Sequence, residues 1–305
     1  MTLRCTLSQG CDRIPQADRP VRRGQAAGTK KPHGIQAPYL LSLTGRLAEV
    51  GLSSYSLIPL LPVSTMTLMR IPLTRYGWPQ VVIYPLAIVA AMVICLVLGL
   101  FYLADQTGEA PWVVPGIWIA EVALLAVLAW SLSFFRDPWR EVPRDEKLLL
   151  APADGTVRDI ETVDEPLFIG GPALRIGIFL SVFNVHINRS PCDARIEKIT
   201  YHRGRFVNAM NPLAGKVNES NDLAMVRTKK PNDRLLVRQV SGAIARRIVC
   251  ATEVGQSLAA GEPFGMIKFG SRTELYVPAG EYIECAVRIG DKVKAGVTPL
   301  VRYRD

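Results

Sequence analysis

Three side chains in the C-terminal half of the sequence could form a nucleophile with its acid–base partners. Asp154 lies in the segment PADG, His186 in VHIN and Ser271 in FGSR. A carboxylate, an imidazole and a hydroxyl are the parts of an Asp-His-Ser relay, in which the histidine takes the hydroxyl proton and the carboxylate orients the ring. Taken singly, the Asp-Gly and Gly-Ser pairs favour turns, and the histidine favours a packed strand. Catalysis therefore depends on whether the fold brings the three segments together.

The cysteines and histidines do not suggest a metal centre or a disulfide framework. No two cysteines have C-x-x-C spacing, and no histidine has a ligand partner at helical spacing. We therefore predict reduced thiols and no bound metal. The residues concerned are Cys5, Cys11, Cys95, Cys192, Cys250, Cys285, His33, His186 and His202.

The region that carries the three side chains has the pattern of a β domain. From residue 147 onward, short segments rich in β-forming residues alternate with Gly, Pro, Asn and Asp. This spacing predicts a mainly β fold, a sandwich or a barrel, over residues 141–305. Its two ends, ADGTV and IGDKVKAGVTPLVRY, resemble the first and last strands of lipoyl-type hammerhead domains. We expect the domain to bury its own core and to fold without the preceding segment.

Two long apolar runs precede the β domain. Residues 81–104 carry no charge, and residues 112–135 carry only Glu121. About 20 apolar residues are enough to cross a bilayer core. The two runs therefore predict a membrane-anchoring helical hairpin over residues 66–140. Arginines before the first run and after the second place both ends in the cytoplasm. The alternative is a pair of core helices in a soluble protein, which seldom have such long uncharged runs.

Residues 1–65 differ from the rest of the chain. They are rich in Pro, Gly, Arg and Lys, lack periodicity and hold much of the net charge of +9, which predicts a disordered basic extension. Met66 precedes a short basic segment and an apolar run, so an over-extended gene start is the alternative. The remaining chain is only mildly basic, and nucleic acid is not expected as a partner.

The order of these motifs resembles the phosphatidylserine decarboxylase family. PADG, VHINRSP and FGSR follow an apolar segment that ends in FFRDPWR, and NPLAGKVNESNDLAM and VSGAIARRIV agree as well. The resemblance covers residues 66–305 and is nearest to the short, archaeal-type form, whose cleavage motif ends Gly-Ser-Arg. Other members carry a second histidine three residues before the one that matches His186. That position is Phe183 here, so a two-histidine mechanism is not transferred.

The resemblance implies that the chain makes its own cofactor. Ser271 would attack the carbonyl carbon of Gly270, His186 would take the hydroxyl proton, and Asp154 would orient the ring. The chain would part between Gly270 and Ser271 into a β chain and an α chain, and residue 271 would become a pyruvoyl group. That group would form a Schiff base with phosphatidylserine and release phosphatidylethanolamine, without a metal. Arg272 would pair with the lipid phosphate.

The resemblance also implies a setting for this reaction. The substrate would be an anionic phospholipid in the bacterial inner membrane, with the catalytic domain on the cytoplasmic side and homo-oligomer formation left open. Arg136, Arg140 and Arg144, just after the hairpin, would hold the domain against anionic lipid.

Two alternatives have a different function. One is a membrane-tethered hammerhead-type adaptor or carrier, for which Lys268 is the candidate modified lysine. The other is a membrane-anchored serine hydrolase that uses the same three side chains on an external substrate.

Overall fold

The fold was analysed in a computed structural model, which describes residues 73–104, 112–211, 213–243, 247–268 and 270–304. The prediction of a disordered extension over residues 1–65 lies outside the described residues. The helices are a 3₁₀ turn (Arg75–Gly77), α1 (Gln80–Ala104), α2 (Val113–Phe134) and the short α3 (Ala214–Val217). The two predicted apolar helices are therefore confirmed to within one residue at each end.

Helices α1 and α2 pack against each other as a hairpin. A β-carbon placed on Gly99 would lie 2.9 Å from Cδ1 of Ile117, so the absence of a side chain at Gly99 permits close approach. At the open end of the hairpin, the Thr74 N–H donates to the Phe135 carbonyl over 2.8 Å. Both helices are long and apolar enough to cross a membrane, by length and composition.

The rest of the described chain is mainly β, as the sequence predicts. The strands are β1 (Leu148–Leu150), β2 (Gly155–Glu165), β3 (Gly171–Leu180), β4 (Ile187–Arg189), β5 (Ala194–His202), β6 (Ser220–Arg227), β7 (Arg234–Val240), β8 (Arg247–Cys250), β9 (Ser257–Leu258), β10 (Pro263–Lys268), β11 (Ser271–Pro278), β12 (Ile283–Cys285), β13 (Lys292–Val293) and β14 (Pro299–Tyr303).

One curled antiparallel sheet of eight strands forms the body of this region, in the order β13-β2-β3-β11-β7-β6-β5-β9. Two sheets of three strands accompany it, β1-β14-β12 and β4-β10-β8. Alternate residues on the central strands face one hydrophobic core, as the period of two in a strand requires. Members of that core include Ile176, Ile178, Leu223, Val237 and Leu275.

The two ends of the β region meet. Strand β13 pairs with β2, with Lys292 opposite Thr156, and β1 pairs with β14. The segments ADGTV and GDKVKAG thus lie side by side. The hammerhead-like form of these ends stays a prediction.

Buried side chains before residue 147 add to the core of the β region, while independent folding of residues 141–305 stays a prediction. Phe134 and Phe135, at the end of α2, are 1% exposed and form a second cluster with Val185, Ile187 and Met266. The hydroxyl of Tyr76 also donates to the carbonyl of Pro263 over 2.8 Å. Since each fully buried phenylalanine stabilises by about 1.5–3 kcal/mol, the base of the hairpin is part of the folded domain.

Two of the arginines after the hairpin contact the β domain. Arg136 donates to the carbonyl of Phe183 over 2.8 Å, and Arg140 forms an ion pair with Asp154 at the same distance. Their guanidinium groups therefore fix the connecting segment, residues 136–147, to the β domain. The expected contact of these two arginines with lipid gains no support from this placement.

Candidate active site

Gly270 and Ser271 lie where the chain passes from one sheet to another. Strand β10, before them, pairs with β4 and β8, whereas β11, which starts at Ser271, pairs with β3 and β7. The two strands do not pair with each other, so the segment is not the hairpin turn that a Gly-Ser pair suggests. Gly270 has φ +63°, in the left-handed region that favours glycine. The peptide before Ser271 is thus held in a conformation that few other residues could adopt.

The Ser271 side chain is buried, and its hydroxyl has no hydrogen-bond partner among the described residues. The residue is 0% exposed. A buried hydroxyl without a partner costs about 1–3 kcal/mol, and such costs in native proteins often accompany function. The hydroxyl is therefore available as a nucleophile.

Gly242 lies close to the carbonyl oxygen of Gly270. A β-carbon placed on Gly242 would lie 2.2 Å from the Gly270 oxygen and 3.2 Å from Cβ of Ala209. Only glycine allows this approach, so residue 242 helps to set the position of the carbonyl that Ser271 would attack. Gly242 lies in the segment VSGAIARR, which the sequence analysis quoted without assigning it a role.

His186 bonds the backbone N–H of Gly270, which belongs to the peptide unit just before the one that would be cut. Its Nε2 accepts from the Gly270 N–H over 3.4 Å, and its Nδ1 lies 2.9 Å from the Asn184 carbonyl oxygen. Because a carbonyl only accepts, Nδ1 carries the proton, and Nε2 is unprotonated with the lone pair that accepts from the Gly270 N–H. The Asn184 side chain in turn accepts from the N–H and the hydroxyl of Ser181, each over 2.8 Å. The backbone carbonyl of Asn184, in a loop held by these hydrogen bonds, therefore orients the His186 ring.

A phenylalanine from helix α2 covers the histidine. The ring centroids of Phe134 and His186 lie 4.4 Å apart with an interplanar angle of 37°. His186 is fully buried, and burial lowers its pKa to about 4, with the positive charge of Arg136 acting in the same direction. The ring is thus neutral at physiological pH and can act as a base through Nε2.

Asp154 does not complete the relay in this structure. Its carboxylate accepts from Arg140 and from the Ala295 N–H, each over 2.8 Å, and no hydrogen bond to His186 occurs among its described contacts. Burial raises the pKa of Asp154, and these two partners oppose that rise. Asp154 and Asn184 line the same cavity of about 370 Å³. This cavity therefore separates the Asp154 carboxylate from the loop that orients His186.

Buried amides join the strand after His186 to the sheet that holds Ser271. Asn188 donates to Oγ1 of Thr273 over 3.0 Å and accepts from Nε2 of Gln239 over 2.9 Å. The chain of bonds continues from Asn221 to Gln239 over 3.1 Å. Satisfied buried networks of this kind rigidify a core, so β4 and β11, which lie in different sheets, are held at a fixed relative position.

Arg272 points away from this network and is not a surface residue. It is 0% exposed and donates to Asp159 and Glu274, each over 2.6 Å. Its guanidinium is thus paired inside the protein, and a role in binding lipid phosphate gains no support from its position. Among the described residues, no group of three or more His, Cys, Asp or Glu could hold a metal ion.

The site therefore brings together two of the three predicted side chains. His186 bonds the N–H of Gly270, and Ser271 follows the carbonyl of the same residue. Asp154 is bonded to Arg140 in the connecting segment and to neither of the other two side chains among its described contacts. Sequence analysis missed Asn184, Gly242 and Phe134 as contributors. The arrangement offers a neutral base, a buried hydroxyl and a constrained peptide bond, which is what an internal acyl transfer needs.

Comparison with known proteins identifies the family of the chain. The sequence profile described as phosphatidylserine decarboxylase matches residues 127–300. A phosphatidylserine decarboxylase proenzyme from Rhodopirellula baltica is 39% identical over 234 residues, which cover 77% of this chain and 89% of the relative. One from Symbiobacterium thermophilum is 42% identical over 238 residues, covering 78% and 99%. The chain belongs to the phosphatidylserine decarboxylase family.

Proposed function

We propose that the protein decarboxylates phosphatidylserine to phosphatidylethanolamine after cutting its own chain between Gly270 and Ser271. Support comes from the family relationship and from relatives that carry the name proenzyme. The observation that carries the proposal is the buried Ser271 hydroxyl, which has no hydrogen-bond partner among the described residues and follows a glycine whose backbone N–H is bonded to His186. An adaptor or carrier needs neither feature. An external serine hydrolase needs an accessible hydroxyl, whereas Ser271 is fully buried.

In the first step Ser271 attacks the carbonyl carbon of Gly270. His186 Nε2 takes the hydroxyl proton, the Oγ–C bond forms, and the C–N bond breaks as the nitrogen receives a proton. The acyl group moves from nitrogen to oxygen and leaves an ester. The contact between Gly242 and the Gly270 carbonyl supports this step, because it fixes the orientation of the electrophile.

Elimination then converts the ester into two chains. Loss of the α-hydrogen of residue 271 breaks the ester C–O bond, which frees Gly270 as a carboxylate and leaves dehydroalanine. Addition of water and loss of ammonia give a pyruvoyl group at the start of the smaller chain. Such a group fits the site of Ser271, because the position is buried and its side-chain oxygen has no hydrogen-bond partner among the described residues. That group would supply a carbonyl able to condense with the substrate amine and an adjacent amide carbonyl able to take up the electron pair that CO₂ leaves behind.

The chain's own residues serve the lipid reaction as well. We assign His186 as the group that returns a proton to the substrate α-carbon, because Nε2 faces the cleavage site. We assign Asp154 as a positioning residue. Through Arg140 it anchors the connecting segment that follows Phe134, and Phe134 covers the His186 ring.

We also propose that α1 and α2 span the bacterial inner membrane with the catalytic domain on the cytoplasmic side. The length and apolar composition of the helices and the arginines beside them support this orientation. An anionic phospholipid in the same bilayer is then the substrate, and tethering raises its effective concentration.

Incubation of the purified protein with vesicles that contain phosphatidylserine tests the activity. Wild-type protein is expected to form phosphatidylethanolamine and CO₂ in equal amounts, and Ser271→Ala protein to form neither. Absence of both products from correctly folded wild-type protein would reject the proposed function.

A further inference from the structure

Apolar side chains surround the end of the eight-stranded sheet that holds Ser271. Ser271 pairs with Leu180, and the register across the sheet places Val240, Ser220 and His202 at the same end. Residues 181–186 form one loop at this end, and the described residues between 203 and 219, which include α3, form a second. Four of their exposed apolar residues, which we name the apolar rim, are Phe183, Phe206, Met210 and Leu213.

Both loops of the apolar rim contact the cleavage site. Val182, next to Phe183, has Cγ1 3.9 Å from a β-carbon placed on Gly270. Ala209, next to Met210, packs beside Gly242, which presses on the Gly270 carbonyl. The Asn218 amide ties the second of these loops to the sheet, because it donates to the carbonyls of Val207 and Ser241, each over 2.8 Å. The apolar rim is thus an ordered border of the site.

The apolar helices leave the domain at the level of the same border. Arg136, just after α2, donates to the carbonyl of Phe183 over 2.8 Å. Lys268, three residues before Ser271, donates to Oε1 of Gln80, the first residue of α1, over 2.8 Å. A bilayer that the two helices cross would therefore have its surface beside the apolar rim.

The charge beside the apolar rim favours an anionic surface. Arg203, Arg205 and Lys216 are exposed on the loop that carries Met210 and Leu213. A basic residue near an anionic membrane contributes about 1 kcal/mol of attraction. Exposed apolar side chains flanked by basic ones are typical of segments that insert into a bilayer interface.

We propose that the apolar rim inserts into the interface of the anionic bilayer that α1 and α2 cross. The cleavage site is then held at the level of the headgroups, and a phospholipid reaches it by lateral diffusion without leaving the membrane. This inference rests on the proposed function and on the proposed membrane crossing. Its occupant is a lipid surface, and a second copy of the chain on the same residues is the competing outcome.

Photocrosslinking of the full chain in vesicles of phosphatidylglycerol and phosphatidylcholine tests the occupant directly. Benzoylphenylalanine in place of Met210 or Leu213 is expected to give a lipid adduct, detected by mass. The same probe in place of Leu167 is the control. Leu167 is 80% exposed but lies before β3, at the opposite end of the sheet, and should give none. A crosslinked dimer at positions 210 and 213, or no adduct there, would overturn the proposal.

Kinetics test the consequence for the reaction. The variant Met210→Ser with Leu213→Ser should lose roughly tenfold of its rate on phosphatidylserine in vesicles, because two apolar side chains no longer enter the interface. Self-cleavage and the rate on a short-chain, water-soluble phosphatidylserine should stay unchanged. Leu167→Ser with Val254→Ser, also exposed and far from the site, is the matched control.

The two readouts separate this inference from the proposed function. Equal losses on vesicle and soluble substrates, or no loss on vesicles, would contradict insertion of the apolar rim even if the enzyme is active. If wild-type protein neither cleaves itself nor acts on the soluble substrate, the proposed function fails. The crosslinking result then still decides whether the apolar rim contacts lipid.

Discussion

The ring of Phe134 packs on the imidazole of His186 with 4.4 Å between their centroids. Phe134 is the last residue of α2, and His186 directly precedes β4. The end of an apolar helix thus forms the wall of the candidate active site, and burial there lowers the pKa of His186 to about 4. The hairpin therefore contributes to the site itself, beside the anchoring that we propose, since it keeps the base dry and neutral.

Removal of the Phe134 ring should change the pH dependence of self-cleavage. In Phe134→Ala protein, water would reach His186 and its pKa should rise toward the ordinary value of about 6.5. Cleavage should then slow as the pH falls from 7 to 5.5, whereas wild-type cleavage should not. The measurement is the fraction of cut chain against time, by denaturing gel, over this pH range.

Phe135→Ala is the matched control for that experiment. Phe135 is equally buried in the same cluster, and its ring packs on Phe134 with 5.1 Å between centroids. Both alanine variants should lose about 3–5 kcal/mol of stability, but only Phe134→Ala should acquire the new pH dependence. Phe134→Leu, which keeps apolar cover, should fold and retain the wild-type profile. An identical change in both alanine variants would mean that Phe134 acts only through stability.

A methyl group at residue 242 should stop maturation. In Gly242→Ala the β-carbon would meet the Gly270 carbonyl oxygen, which must shift. Displacement of a reacting group by about 1 Å can cost roughly 100-fold in rate, so self-cleavage should slow by that order. Gly171→Ala, where a β-carbon meets nothing within 4 Å, should mature normally. Normal maturation of Gly242→Ala would show that the Gly270 carbonyl position is not critical.

Stability should also reflect the buried His186. Between about pH 4 and pH 6.5 the unfolded chain protonates this histidine while the folded chain does not, since burial lowers its pKa to about 4. Its contribution is therefore unfavourable in this window, and the free energy of unfolding should fall as the pH is lowered through it. His186→Gln should remove this part of the slope, as measured by denaturant unfolding of uncut Ser271→Ala protein. An unchanged slope would indicate that His186 titrates normally.

The roles of Asp154 and Arg140 can be separated by a double-mutant cycle. If Asp154 acts by anchoring the connecting segment through Arg140, then Asp154→Asn and Arg140→Gln should slow self-cleavage to a similar extent, and the double variant little further. His186→Ala should be more severe, because a general base contributes about 10²–10⁴ in rate. A slow Asp154→Asn beside a normal Arg140→Gln would instead favour direct action of the carboxylate on His186.

Local sequence patterns predicted the elements well. Uncharged apolar runs indicate helices whatever surrounds them, and α1 and α2 appear where those runs lie. The β-rich segments likewise become strands, and His186 and Ser271 lie at strand starts, as their flanking residues suggested. These features depend on hydrophobic periodicity and length, which a single sequence contains.

Long-range relations were not predictable in the same way. Periodicity shows which face of a strand is buried but not which strand lies beside it, so the change of sheet at Gly270 was missed. An aromatic residue at the end of an apolar helix suggests a position at a membrane interface. The contact of Phe134 with His186 could therefore not be predicted from its place in the sequence. Asp154 was assigned to the histidine by residue type, whereas its partner Arg140 depends on the path of the connecting segment.

The state of the bond between Gly270 and Ser271 tests the central claim most directly. Intact mass and a denaturing gel of purified protein should show two chains that part at this bond, the smaller one lighter by one ammonia than a chain that begins with serine. Ser271→Ala protein should remain one chain of full length. A single uncut wild-type chain that nevertheless decarboxylates phosphatidylserine, or a smaller chain with a free N-terminal serine, would contradict the account.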